Sequence, residues 1–275
     1  MPEKNDQHKH TTDNVVAELS RSESYAAYLG SPEPSFKHTT YFPAYDALLS
    51  KFRGKPITFV EIGVLNGGSL FMWRNFFGPA ARIIGVDLNP GAKQWEQHGF
   101  EIYIGSQQDP VFWQEFCESV GQVNVVLDDG GHTYLQQIIT AECLLDNIVD
   151  GGMLIIEDTH TSYMPDFGNN SINFLKYVFQ WAHKINSRFG EFKPTQEDRR
   201  VFSLEIFESI VAFKVDRPKS NIVSEPTWNK PPNDGDEAQD FRKADKESLA
   251  RNKTLIDQIL SDAFSIHKAP NRDPS

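Results

Sequence analysis

Apolar positions along the chain change period several times, and these changes mark out its elements. Val15, Val16, Leu19, Tyr25 and Leu29 make a weak helical pattern, closed by Gly30 and the breakers Pro32 and Pro34. Tyr41, Phe42, Tyr45, Leu48, Leu49 and Phe52 recur at three- and four-residue spacing before Gly54 and Pro56, which predicts an amphipathic helix. Beyond Pro56, short β-rich runs alternate with helical stretches. Ile57 to Ile62, Arg82 to Leu88, Phe100 to Ile104, Val123 to Leu127 and Met153 to Ile156 read as strands. One intervening helix opens with Asp109 as N-cap and Pro110 at its first position. Strands that are apolar throughout and separated by helices predict a parallel sheet covered on both faces. An aromatic-rich helix follows from Ser171 to Phe189, and SLEIFESIVAFKV, ending at Val215, reads as two strands joined by a tight turn at Glu208 and Ser209. The expected fold class is α/β: a doubly wound, mostly parallel seven-stranded sheet with an antiparallel final strand.

This pattern divides the chain into an N-terminal arm (1–35), a central α/β domain (36–216) and a linker with a C-terminal helical tail (217–275). The linker is marked by PPNDGDE, and Phe241 to Phe264 predicts one more helix, docking on the body or on a second subunit of a homo-oligomer. With 39% apolar and 24% charged residues the chain is globular rather than disordered. The tail holds ten acidic and ten basic side chains, so the whole net charge of −11 belongs to residues 1–216. An acidic body disfavours a nucleic-acid partner, which would need its phosphates neutralised. Cys117 and Cys143 lie in apolar-periodic segments and read as buried free thiols of a reducing compartment. The polar N-terminus and the lack of a long apolar run predict a cytoplasmic protein with no membrane partner.

Candidate chemistry begins at the end of the first strand. Phe59-Val-Glu-Ile-Gly-Val-Leu-Asn-Gly-Gly-Ser69 places a glycine-rich loop where doubly wound sheets bind nucleotide-like ligands, with a helix N-terminus following at about Ser69. Asp87 ends the second strand, where a carboxylate can accept hydrogen bonds from both hydroxyls of a ribose. Together these point to an adenosine cofactor. An NAD enzyme is disfavoured because Gly63 is followed by Val64, Leu65 and Asn66, so G-x-G-x-x-G is absent. Glu61 suits a cationic ligand such as the ammonium of S-adenosylmethionine. The pattern E-x-G-x-x-x-G-G-S, Asp87 and Gly105-Ser-Gln-Gln-Asp109 resemble a class I S-adenosylmethionine-dependent methyltransferase, which implies a Rossmann-like sheet. By that resemblance Gln107 contacts adenine. The candidate cofactor contacts are then Glu61, Gly63, Asn66, Ser69, Asp87, Gln107 and Asp128, the last as a contact to the cofactor amine or as a cap.

The fourth strand ends in Leu127-Asp-Asp-Gly-Gly-His132 and the fifth in Ile156-Glu-Asp-Thr-His160. In class I strand order these two ends are adjacent, so Asp129, Glu157 and Asp158 meet in one crevice beside the cofactor. Three carboxylates so close repel without a cation, and all-oxygen ligands favour a hard ion such as Mg²⁺. The pattern D-D-G-x-H, followed by E-D at 28 residues from its second Asp, is similar to the metal-dependent O-methyltransferases that tail natural-product sugars, the mycinamicin-type macrolide glycoside methyltransferases. It is also similar to the cephalosporin-hydroxylase-like proteins, which share the cofactor fold. This resemblance covers roughly residues 36–215, including Lys37-His38 and Tyr41-x-x-x-Tyr45. It implies that Asp129, Glu157 and Asp158 hold Mg²⁺ and that His132 is the base. The implied reaction is S-adenosylmethionine-dependent methylation of a sugar hydroxyl in antibiotic biosynthesis, on a small-molecule glycoside. His160 is the rival base and His38 a weaker one. A catalytically silent cofactor-binding module is the alternative from another class, and it would have no need of a metal and a base together. Tyr163, Phe167, Phe174, Tyr177, Phe179 and Trp181 could line an acceptor pocket, although such a stripe is more often core.

Overall fold

The computed structural model describes residues 19–168, 172–189, 198–230 and 252–263. The chain divides into two compact units, 1–225 and 226–275. In the first, α1 (Glu23–Leu29) and α2 (Tyr41–Leu49) precede β1 (Thr58–Ile62), α3 (Gly68–Phe77), β2 (Arg82–Asp87), β3 (Glu101–Ile104), α4 (Pro110–Val120), β4 (Val123–Asp128), α5 (Tyr134–Leu144), β5 (Ile148–Ile156), α6 (Phe174–Asn186), β6 (Val201–Phe207) and β7 (Ile210–Val215). A short helix α7 (Arg217–Ser220) follows, and the second unit contributes α8 (Lys253–Ala263).

The seven strands form one sheet in the order β3-β2-β1-β4-β5-β7-β6. β1 to β5 pair in parallel, and β7 runs antiparallel to both β5 and β6. Successive strand residues face opposite sides. Phe59, Ile83, Val125, Met153 and Ile155 therefore pack with α1, α2 and α3, while Val60, Ile84, Val126, Leu154 and Phe213 pack with α4, α5 and α6. This two-sided burial is what the uninterrupted apolar strands demand. Phe174, Tyr177 and Trp181 belong to that second core, whereas Tyr163 and Phe179 are exposed.

Several local expectations need correction. β5 begins at Ile148, because Asp150-Gly151-Gly152 interrupts the apolar run without ending the strand. The helix expected from Ser171 starts at Phe174, where the Asn173 side chain caps it by accepting from the Lys176 N–H. Cys117 and Cys143 are free but only half-buried, and partial burial already pushes the Cys117 thiol up to about 11. Val15 and Val16 lie outside the described residues, as do PPNDGDE and Phe241 to Arg251 of the expected tail helix. Among the described residues no helix is long and apolar enough to cross a membrane.

Candidate functional site

The carboxyl ends of β1, β4 and β5 lie side by side, tied by the Asp129 N–H to the Ile62 carbonyl and the Glu157 N–H to the Asp128 carbonyl, each 2.9 Å. Gly63 has φ +89°, and a Cβ there would meet the Asp129 carbonyl oxygen at 2.1 Å, so only glycine lets the β1 loop pass this close to the β4 loop. His132 (φ +59°), Asp158 (φ +54°) and Ser209 (φ +61°) also hold left-handed backbone, without being glycine. Such conformations cost roughly 1–3 kcal/mol each and cluster where function demands them. Here all three converge. The Thr161 hydroxyl reaches the His132 carbonyl at 2.9 Å and the Asp158 carbonyl at 2.7 Å, fastening the two strand-end loops together.

A cleft of about 610 Å³ opens over the ends of β1, β2 and β4. Gly63, Asn66, Asp87, Gln107, Asp129, His132 and Asp158 line it, together with Phe36. Asp87 accepts from the Val64 and Leu65 N–H groups through one oxygen (2.8 and 3.1 Å) and from Asn89 N–H through the other (2.7 Å). A carboxylate has about four acceptor positions, so capacity remains for a ligand hydroxyl.

Four expected site residues stand behind this surface. Glu61 is fully buried and accepts from the Ser69 hydroxyl (2.7 Å) and the Trp73 indole N–H (3.0 Å). Burial pushes its carboxyl up to about 7, opposed by Lys37 and these donors. Glu61 and Ser69 thus satisfy each other rather than facing the cleft. Asp128 accepts from the Gln107 amide (2.8 Å) and the Gly130 N–H (3.1 Å), and burial pushes it up to about 6. Gln107 is held by this contact as it lines the cleft. Glu157, the fourth, has no exposed surface.

Charge balance among the carboxylates comes from a residue to which the sequence reading assigned no role. The Lys37 ammonium lies 2.6 Å from Asp129 Oδ2 and 2.9 Å from Glu157 Oε2, with its side chain 1% exposed. Burial works against its charge, but Asp129 and then Glu157 outweigh it and hold the ammonium well above its ordinary range. Glu157 also accepts from the Tyr45 hydroxyl at 2.5 Å; burial pushes its carboxyl up, opposed by Lys37. Tyr41 donates to Asp158 in the same way and lies 3.1 Å from the Ser209 hydroxyl. Tyr41 and Tyr45, four apart on α2, therefore each place a phenol on a different carboxylate of β5's end. Buried phenols need partners, and that spacing was the sequence signal for this role.

Lys37 arrives on a strap laid over the start of α3. The Ser31 hydroxyl donates to the Gly68 carbonyl at 2.8 Å, and a Cβ at Gly68 would meet the Pro34 and Glu33 carbonyl oxygens at 2.4 and 2.5 Å. From this strap Phe36 lines the first cleft, Lys37 enters the carboxylate cluster, and His38 lines a second cleft on the other side.

One ligand atom each from Asp129, His132 and Asp158 lie within 4.8 Å of one another, a spread that small side-chain adjustments close onto one ion. His132 Nε2 is 3.4 Å from Asp158 Oδ2, while His160 Nδ1 is 2.5 Å from the Ser209 hydroxyl and 3.8 Å from Asp158 Oδ1. Two oxygen donors and an imidazole, partly open to the cleft, suit a divalent cation that keeps places for other oxygens.

Comparison with known proteins agrees with this architecture. Residues 60–159 match a family described as a methyltransferase domain. An 8-demethyl-8-alpha-L-rhamnosyl tetracenomycin-C 2'-O-methyltransferase of Streptomyces olivaceus is 31% identical over 66% of this chain and 51% of its own length. Mycinamicin VI 2''-O-methyltransferase of Micromonospora griseorubida is 28% identical over 72% of this chain and 53% of its own length. The chain thus spans about half the length of these relatives. The MycE methyltransferase from the mycinamycin biosynthetic pathway, solved in complex with Mg and SAH, shares the fold with a TM-score of 0.65 at 24% identity, over 77% of this chain and 57% of that one. Residues 60–159 thus match a methyltransferase domain, in a chain that resembles the sugar O-methyltransferases of antibiotic pathways.

Proposed function

We propose that this protein is an S-adenosylmethionine-dependent, Mg²⁺-assisted O-methyltransferase acting on a sugar hydroxyl of a glycosylated natural product. The observation that carries it is the junction of two features in one cleft: the glycine loop with Asp87, and the Asp129, His132 and Asp158 cluster at its far wall. Residues 36–216 form the catalytic domain in this reading, with 1–35 as an arm and 217–275 as a tail. Asp87 takes the ribose, the loop through Gly63 and Asn66 takes the methionine end, and Gln107, braced by Asp128, faces the adenine. Glu61 and Ser69 support that loop from behind.

Asp129 and Asp158 supply the carboxylates for the ion, while Glu157, expected beside them, stands buried behind and is fixed by Lys37 and Tyr45. When bound, S-adenosylmethionine supplies the methyl group and Mg²⁺ lowers the pKa of the acceptor hydroxyl. The chain's own work is positional and acid–base. The strand-end loops hold the acceptor oxygen in line with the cleft, and His132 Nε2 takes its proton. A second reading, with His132 as a ligand, is favoured by its place in the 4.8 Å cluster, and the two are separable by measurement.

The cofactor half is tested by calorimetry with S-adenosylhomocysteine. Wild type should bind it, and Asp87→Ala should weaken binding by about 1–3 kcal/mol, the loss expected for hydrogen bonds to a charged group. Tight NAD binding without S-adenosylhomocysteine binding contradicts the assignment.

A further inference from the structure

A second cleft of about 510 Å³ lies on the other side of Asp158 and differs in character from the first. Part of its lining is polar: Tyr41, Ser209 and His160 form a hydrogen-bonded chain that reaches Asp158 through the Tyr41 hydroxyl. Another part is apolar, contributed by Tyr163, Leu175, Phe179 and Ile206. Phe179 and Ile206 leave 62% and 61% of their surface exposed, and Tyr163 leaves 52%. Large apolar side chains gathered at a cleft mouth mark a binding surface rather than ordinary exposure. Asp158 is the shared wall, since it lines the first cleft directly and touches the second through Tyr41.

We propose that this second cleft is the acceptor site and that its mixed polarity sets the acceptor's orientation. The sugar stands against Tyr41, Ser209 and His160, with a hydroxyl toward Asp158, and an apolar aglycone lies along Tyr163, Phe179 and Ile206. The inference rests on the methyltransferase reading, because only a reaction at Asp158 requires one ligand on each side of it. It adds that selectivity for the aglycone resides in Tyr163, α6 and β6, outside the matched methyltransferase segment. Nearby Phe174, Tyr177 and Trp181 take no part, being buried in the core.

The test is calorimetric titration of the S-adenosylhomocysteine- and Mg²⁺-loaded protein with two probes, 2-naphthyl α-L-rhamnopyranoside and methyl α-L-rhamnopyranoside. The naphthyl probe should bind wild type at least about tenfold more tightly, and Phe179→Asp and Ile206→Asp should each remove that advantage. Both substitutions are at exposed positions, and unchanged S-adenosylhomocysteine affinity serves as the check on folding. Equal affinity for the two probes in wild type, or an advantage that survives both substitutions, overturns the proposal. Failure of S-adenosylhomocysteine to bind wild type would instead remove the methyltransferase reading itself.

Discussion

Replacing His132 with alanine is expected to lower kcat by roughly 10²–10⁴ while leaving S-adenosylhomocysteine and Mg²⁺ affinities close to wild type. The expectation follows from its place. Its Nε2 lies at the cleft wall, 3.4 Å from Asp158 Oδ2, on backbone held left-handed at φ +59° just before the capping Thr133 of α5. A group that only takes a proton can be removed without disturbing what binds beside it. Loss of Mg²⁺ affinity together with turnover would make His132 a ligand. Near wild-type turnover in His132→Ala, combined with an inactive His160→Ala, would move the base to the end of β5.

Lys37→Met should have the largest effect on stability. It leaves Asp129 and Glu157 facing each other without the ammonium now 2.6 and 2.9 Å away, and breaking a buried pair typically costs about 3–5 kcal/mol. In a domain of this size that corresponds to a Tm lower by roughly 10 °C in EDTA. Because the ion then becomes the main counter-charge, Mg²⁺ should raise the Tm of Lys37→Met more than that of wild type. Lys37→Arg, which keeps the charge, should recover part of the loss. Thermal unfolding with and without Mg²⁺ reads all three proteins. An unchanged Tm, or a Mg²⁺ response equal to that of wild type, would show that the Lys37 charge is not part of the cluster.

The parts of the site legible in the sequence are those that local pattern determines. Asp87, Asp129, Glu157 and Asp158 each follow an apolar strand, and a parallel sheet brings such strand ends to one edge. The final hairpin was equally legible, down to its turn at Glu208 and Ser209. What pattern could not show were partners set by tertiary packing. Lys37 reaches Asp129 and Glu157 across 92 and 120 residues of sequence, and no spacing rule connects them. Glu61 reads as a ligand contact until Trp73, on the following helix, is seen donating to it. The start of β5 was hidden because Asp150-Gly151-Gly152 resembles a turn while remaining in the sheet. The aromatic stripe after residue 160 splits in two for the same reason: burial of Phe174, Tyr177 and Trp181 and exposure of Phe179 depend on which side of α6 meets the sheet, while Tyr163 precedes that helix and is exposed.

Metal-assisted methyl transfer to a sugar hydroxyl is tested most directly by mass spectrometry of rhamnosides incubated with the protein and S-adenosylmethionine. The product should gain the mass of one methyl group on the sugar, EDTA should abolish the gain and added Mg²⁺ should restore it. Asp158→Asn should fail in either condition, because it loses a carboxylate of the 4.8 Å cluster. Methylation that proceeds undiminished in EDTA, or with Asp158→Asn, would contradict the account.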